Sequence, residues 1–118
     1  MSGADEIAVA DMSCVPADGR KFDARIAVWR PYRATSGEWR CPVAMSGLQE
    51  RLPDMAGEDS LQALCMVPST VRVLLEHFVE QGGQLFYRGN DSRFEIAATF
   101  GRIGESWPDA GAEVSVDL

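Results

Sequence analysis

The chain has 118 residues, a formal net charge of −7, and 46% hydrophobic and 25% charged residues. That length holds one core but not two, the composition is that of a globular domain, and the acidity weighs against general nucleic-acid binding, which relies on basic surface to displace counterions. No apolar run approaches the roughly 18 residues of a membrane span, the opening MSGADEIAVADMS lacks the basic and apolar regions of a secretory signal, and three scattered cysteines fit a reducing compartment, so a cytoplasmic protein is expected.

The charge is uneven. Residues 20–40 carry six of the eleven bases and only Asp23 and Glu38 as acids. One basic segment thus sits in an acidic chain, where it can pair with the remainder.

Glu6 to Val15 reads as the first strand. Ile7 and Val9 share one face while Met12 and Cys14 have the other parity, so burying all four needs a bulge near Asp11. Pro16 to Gly19 is a turn signal. From Arg20 to Tyr32 the chain alternates: Phe22, Ala24, Ile26 and Val28 point one way, and Lys21, Arg25 and Trp29 the other. Pro31 stops this strand. Arg33 to Gly37 reads as a loop. Glu38 to Gly47 is a third strand with Trp39, Cys41, Val43 and Met45 inward, and Pro42 makes it an edge because proline has no N–H to donate. One register allowed by the shared inward face sets Trp29 beside Arg40, a cross-strand cation–π pair.

Leu48 to Ala56 reads as a connection. The longest helical pattern follows, from Glu58 to Gly83. Leu61, Leu64, Pro68, Val71, Leu75 and Phe78 form one face, widened by Cys65, Val67, Leu74 and Val79. Asp59 and Ser60 are good N-cap types, and Gly82 and Gly83 end the helix. Pro68 removes one backbone bond at a cost of about 3 kcal/mol. We expect a kinked, nearly continuous helix, because the stripe keeps its phase across Pro68. Met66 and Val73 fall on the polar side. Gln84 to Arg88 then reads as a short strand and Gly89 to Ser92 as a turn. Residues 93–103 suit either a strand closing a hairpin or a short helix. From Gly104 the composition turns to Gly, Pro, Ala and acid. The reading is a single domain over residues 1–104 and an acidic, flexible tail over 105–118, with Trp107 as its one anchor.

The expected fold class is α+β. An antiparallel meander of three strands packs on one long, kinked helix, and a short strand or hairpin follows, giving a two-layer sandwich.

The strand ending in Trp29-Arg30-Pro31, the Trp39-Arg40-Cys41 triplet and the EDSLQAL run from Glu58 to Leu64 carry a resemblance. Over about residues 6–80 the chain resembles a bacterial small-protein family of unknown function. The resemblance implies the strands-then-helix order. Pro68 departs from the uninterrupted helix it implies.

No phosphate loop, HExxH, GxSxG or CxxC occurs. His77, the only histidine, falls on the polar helix face. Cys14, Cys41 and Cys65 each stand in apolar runs, where cysteine behaves as a small hydrophobe. No catalytic residue, cofactor or metal is assigned. The residues singled out as protein contacts are Arg25, Trp29, Arg40, Met66 and Val73, because aromatic plus arginine is the composition of interface hot spots. The expected function is a small acidic, non-catalytic binding protein: an inhibitor, an immunity-type protein or an accessory subunit bound to another protein, with homodimerisation also open. The alternative is a small-molecule-binding or enzymatic domain with a pocket between sheet and helix.

Overall fold

The computed structural model describes residues 6–101. The expected tail at 105–118 and Trp107 lie outside the described residues. In chain order the elements are β1 (Glu6–Val15), β2 (Phe22–Trp29), β3 (Tyr32–Arg33), β4 (Trp39–Cys41), β5 (Val43–Ser46), β6 (Met55–Gly57), α1 (Ser60–Glu80), β7 (Gln84–Tyr87) and α2 (Ile96–Phe100). The class is α+β, and the strands form two antiparallel sheets on which one long helix packs.

The expected meander is the heart of the larger sheet, whose order is β5-β2-β1-β7. Its register sets Asp11 opposite Arg25, Ala27 opposite Ala44 and Cys14 opposite Leu85. Alternation then decides burial. Ala24 and Ile26 from β2, Met12 and Cys14 from β1, Val43 and Met45 from β5 and Leu85 from β7 form one face of the core. Phe22 and Val28 pack at its margin. The expected bulge near Asp11 does not form. The register shifts instead between Glu6 and Ala8, so Ile7 and Val9 stay on the solvent side, 51% and 41% exposed.

The smaller sheet, β3-β4-β6, was not anticipated. The third strand breaks at Pro42, which is buried between the two halves. Proline has no N–H for a ladder, so the run changes sheets there: β4 pairs with β3 and β6, and β5 pairs with β2. The Pro42 carbonyl still accepts a bond from the Trp29 N–H at 3.1 Å. β5 is an edge of its sheet, as expected for a proline-containing strand. The segment read as a plain connection holds β6, and Tyr32–Arg33, assigned to the end of β2 and a loop, is β3.

Helix α1 runs unbroken through Pro68. The Asp59 side chain caps it by accepting from the Gln62 N–H at 2.7 Å. Gly82, at φ +97°, closes it with its N–H on the Val79 carbonyl, a conformation glycine adopts without strain. The buried line is Ala63, Val67, Val71 and Leu75, spaced by four. A four-residue step on a 3.6-residue helix drifts about 40° each time. The drift follows the neighbours, since the helix packs on β4 and β6 and also on β7 and α2. The expected stripe therefore needs correction. Val71 and Leu75 are core, Leu64 and Phe78 are marginal, and Leu61, Cys65 and Pro68 face solvent. The cause is a close approach: a Cβ on Gly57 would lie 2.5 Å from the Ala63 nitrogen. Small residues on both sides of that contact draw Ala63 inward and roll its larger neighbours out. Burying Val67, Val71 and Leu75 stabilises the layer by about 1.5–3 kcal/mol each.

Residues 92–94 return alongside β7, with Phe94 N–H bonded to Leu85 O at 2.9 Å, and Phe94 is buried. Residues 96–100 are then helical. The open choice at 93–103 thus resolves into both: one bridge at Arg93, then α2.

Candidate functional site

Three surfaces have the residue types to act on something else. The first is the solvent side of the smaller sheet. Tyr32 lies opposite Arg40, and Arg40 opposite Ala56. The Tyr32 hydroxyl donates to Asp54 Oδ2 at 2.6 Å. Arg40 Nε donates to Glu38 Oε2 at 2.7 Å, and the Ser36 hydroxyl donates to Glu38 Oε1 at 2.6 Å. Ser36 and Arg40 together hold the Glu38 carboxyl down at about 2. The bond to Asp54 pushes the Tyr32 hydroxyl above its ordinary value. That direction is wrong for a tyrosine base at neutral pH. A tyrosine, two carboxylates and an arginine do converge, but on an open, exposed surface where every group is engaged by another.

The second surface is the solvent side of the larger sheet. Arg25 Nη1 donates to Asp11 Oδ1 at 3.1 Å and Nη2 lies 3.5 Å from Glu6 Oε1, so the side chain spans the face lengthwise. Arg88 sits beside it, 3.7 Å from Asp11 and 3.8 Å from Asp23. The basic segment is thus tied partly to the acidic N-terminal strand. Trp29 is half-buried at the end of β2, opposite Glu6. Its buried indole N–H has no partner among the described residues. The register that would set Trp29 beside Arg40 does not form. The Trp29 backbone N–H bonds to the Pro42 carbonyl, two residues beyond Arg40, and Arg40 belongs to the other sheet. Among the described residues the cation–π contact is Arg93 over Phe86, 5.6 Å from its centroid.

The third surface is the outer side of α1. Met66 and Val73, seven residues apart and so on one stripe, are 43% and 61% exposed, and Leu61, at 68%, lies beyond them. Cys65, Pro68 and Ser69 are exposed between. From Ser60 to Val71 the helix carries no charged residue at all, although half of it faces solvent.

Cavities are small. A cleft of about 260 Å³ lies between α1, β7 and α2, lined by Arg72, Glu76, Val79, Leu85, Phe94 and Ile96. The Arg72 guanidinium there is committed to Glu76 (2.9 Å) and to the Phe100 carbonyl (3.3 Å). Pro68 does not line it. A groove of about 380 Å³ on the outer sheet face is lined by Ser13, Val15, Lys21, Phe86, Tyr87 and Asp91. Neither brings together several polar groups of shifted acidity, as reactive sites do.

The thiols differ in environment. Burial, then Asp23, pushes the Cys14 thiol up to about 11, and burial, then Asp54, raises Cys41. Cys65, expected in the core, is exposed. Among the described residues no three His, Cys, Asp or Glu side chains are placed to hold a metal ion. His77 is exposed in the last turn of α1. Of the described helices, none is long and apolar enough to cross a membrane.

Of the five residues singled out from sequence, Met66 and Val73 share one surface, Arg25 and Trp29 share another, and Arg40 stands apart on the third. Sequence reasoning missed Ile7, Val9, Leu61 and the Tyr32–Asp54 pair. The alternation of Ile7 and Val9 against Met12 and Cys14 was the available signal. Tyr32 and Asp54 carried none, since only the unforeseen smaller sheet brings them together. No protein-family model, curated protein or solved structure matches the chain.

Proposed function

We propose that this chain is a non-catalytic binding domain that engages another protein through the outer face of α1. The observation that carries the reading is the uncharged run Ser60–Val71, whose exposed positions include Leu61, Cys65, Met66 and Pro68, continued by Val73. A quarter of the chain is charged, so twelve residues of surface helix without one charge is a departure. Interface cores are depleted in charge and enriched in residues such as methionine, and contiguous exposed apolar surface marks contact sites. The acidity of the chain favours a basic partner by complementarity around the patch. An inhibitor, an immunity-type protein and an accessory subunit all fit this reading.

The test is affinity capture from the native host with the wild-type chain and a Met66→Lys/Val73→Glu variant. The two positions are exposed, so the variant should keep its thermal midpoint. Wild type should recover a stoichiometric partner that the variant loses. Equal recovery by both, or no partner for the wild type, would count against the reading.

A further inference from the structure

The solvent side of the larger sheet carries charges of two kinds. Arg25 and Arg88 pair with Glu6, Asp11 and Asp23. Lys21 and Asp91 are exposed, have no ion pair among the described residues, and both line the groove of about 380 Å³. Ser13 is its floor. Met12 and Cys14 on either side of Ser13 point into the core, so Ser13 points outwards. Even so, it is only 7% exposed. Asp23 and Phe86 lie directly opposite it on the two flanking strands, and Arg88 reaches across β1 to the Ala24 carbonyl at 3.2 Å. Buried polar groups are nearly always hydrogen-bonded, yet the Ser13 hydroxyl has no such partner among the described residues. It faces the groove instead. Phe86 forms a wall there, and Arg93 over its ring holds it in place.

A hydroxyl, an ammonium and a carboxylate thus stand unengaged around one groove, beside an aromatic ring. These groups set the chemistry of the ligand. Lys21 and Asp91 cancel in charge, so the groove favours neither an anion nor a cation. They also stand apart. Lys21 enters from the β2 side and Asp91 from the hairpin beyond β7, with β1 and β7 between them. An amino-acid head group, whose two charges are adjacent, cannot meet both. A ligand with uncharged donors and acceptors spread along its length can. We infer that this groove binds a neutral carbohydrate of mono- or disaccharide size. Sugar hydroxyls donate to the Asp91 carboxylate and accept from the Lys21 ammonium and the Ser13 hydroxyl, while the apolar C–H face of the ring packs on Phe86. The volume lies at the low end of the roughly 300–1,000 Å³ of ligand pockets, which suits so small a ligand. The groove is on the sheet face turned away from α1, so the inference does not rest on the proposed function.

Titrating the isotope-labelled full chain by amide-detected NMR tests it. The probes are the methyl glycosides of glucose, galactose, mannose and N-acetylglucosamine, with maltose, cellobiose and lactose. Inorganic phosphate and the dipeptide Gly-Leu are the charged comparisons. At least one sugar should give saturable shifts at Ser13, Val15, Phe86 and Asp91 at millimolar concentration. Lys21→Ala and Asp91→Gly each remove one unpaired exposed charge, and glycine keeps the positive φ of Asp91 without strain. Both should hold the wild-type thermal midpoint and weaken binding about tenfold or more, the worth of one hydrogen bond to a charged group. Met66→Lys/Val73→Glu should bind like wild type. No saturable shift with any of the sugars would overturn the inference. So would saturation by Gly-Leu or phosphate alone, which would give the groove to a charged ligand, or sugar binding that neither Lys21→Ala nor Asp91→Gly weakens.

Discussion

Replacing Pro68 by alanine should stabilise this protein. Proline inside a helix costs about 3 kcal/mol relative to alanine, through a missing N–H and a ring that crowds the carbonyl four residues back. Here that carbonyl belongs to Leu64, and the helix continues through the site regardless. Pro68 is exposed, so its removal opens no cavity. Alanine gives back the bond to Leu64. Against this stands the stiffness that proline lends the unfolded chain, roughly 0.4–1 kcal/mol. The net expectation is a gain of about 2 kcal/mol, which for a domain of this size raises the thermal midpoint by roughly 6–12 °C. Differential scanning calorimetry, with urea unfolding at constant m-value, measures it. An unchanged or lowered midpoint would refute the reasoning. It would mean that the surrounding structure is built on a distortion at Pro68, and that the exposed face of α1 is held in a shape that an ideal helix does not have.

Gly57→Ala should cost about 1–3 kcal/mol, the usual range for overpacking, because its Cβ would meet backbone atoms of Ala63 and Gln62 that have no rotamer to escape into; a neutral effect in urea unfolding would show that β6 and α1 separate easily. In the native protein a thiol reagent should modify Cys65 at once and leave Cys14 and Cys41 until unfolding, since burial holds both of those thiols raised and covered; two or three fast thiols would contradict the core described. Glu38 should titrate near 2 by carboxyl-detected NMR, with Arg40→Met moving the midpoint up. Its folded value lies below the ordinary 4.5, so the contribution of this pair is present above about pH 4.5 and is lost as pH falls through 2. A wild-type midpoint at the ordinary value would mean that solvent screening dissolves the pair.

Local patterns in the chain determined a good deal. Period-two alternation in Phe22–Val28 and in Trp39–Met45 placed the inward residues correctly, because a strand has two faces and a parity error would expose all of them. Asp59 and Gly82 marked the helix ends, since caps answer to a few neighbouring backbone groups. The exposed Met66 and Val73 were legible for the same reason. What tertiary structure alone decided is which neighbour each element meets. Pro42 announced an edge, but not that its strand would serve two sheets. Leu61 and Leu64 looked like core, yet the contact of Gly57 with Ala63 turned the helix so that alanine is inside and Leu61 outside. Tyr32 and Asp54, 22 residues apart, meet only because β4 lies near both. Among the described residues no strand covers β1 at Val9, because β7 pairs with β1 only from Met12 onward. Periodicity reports how much of an element is buried and roughly where; close approach between backbones settles the rotation and the partners, and those depend on residues far apart in the chain.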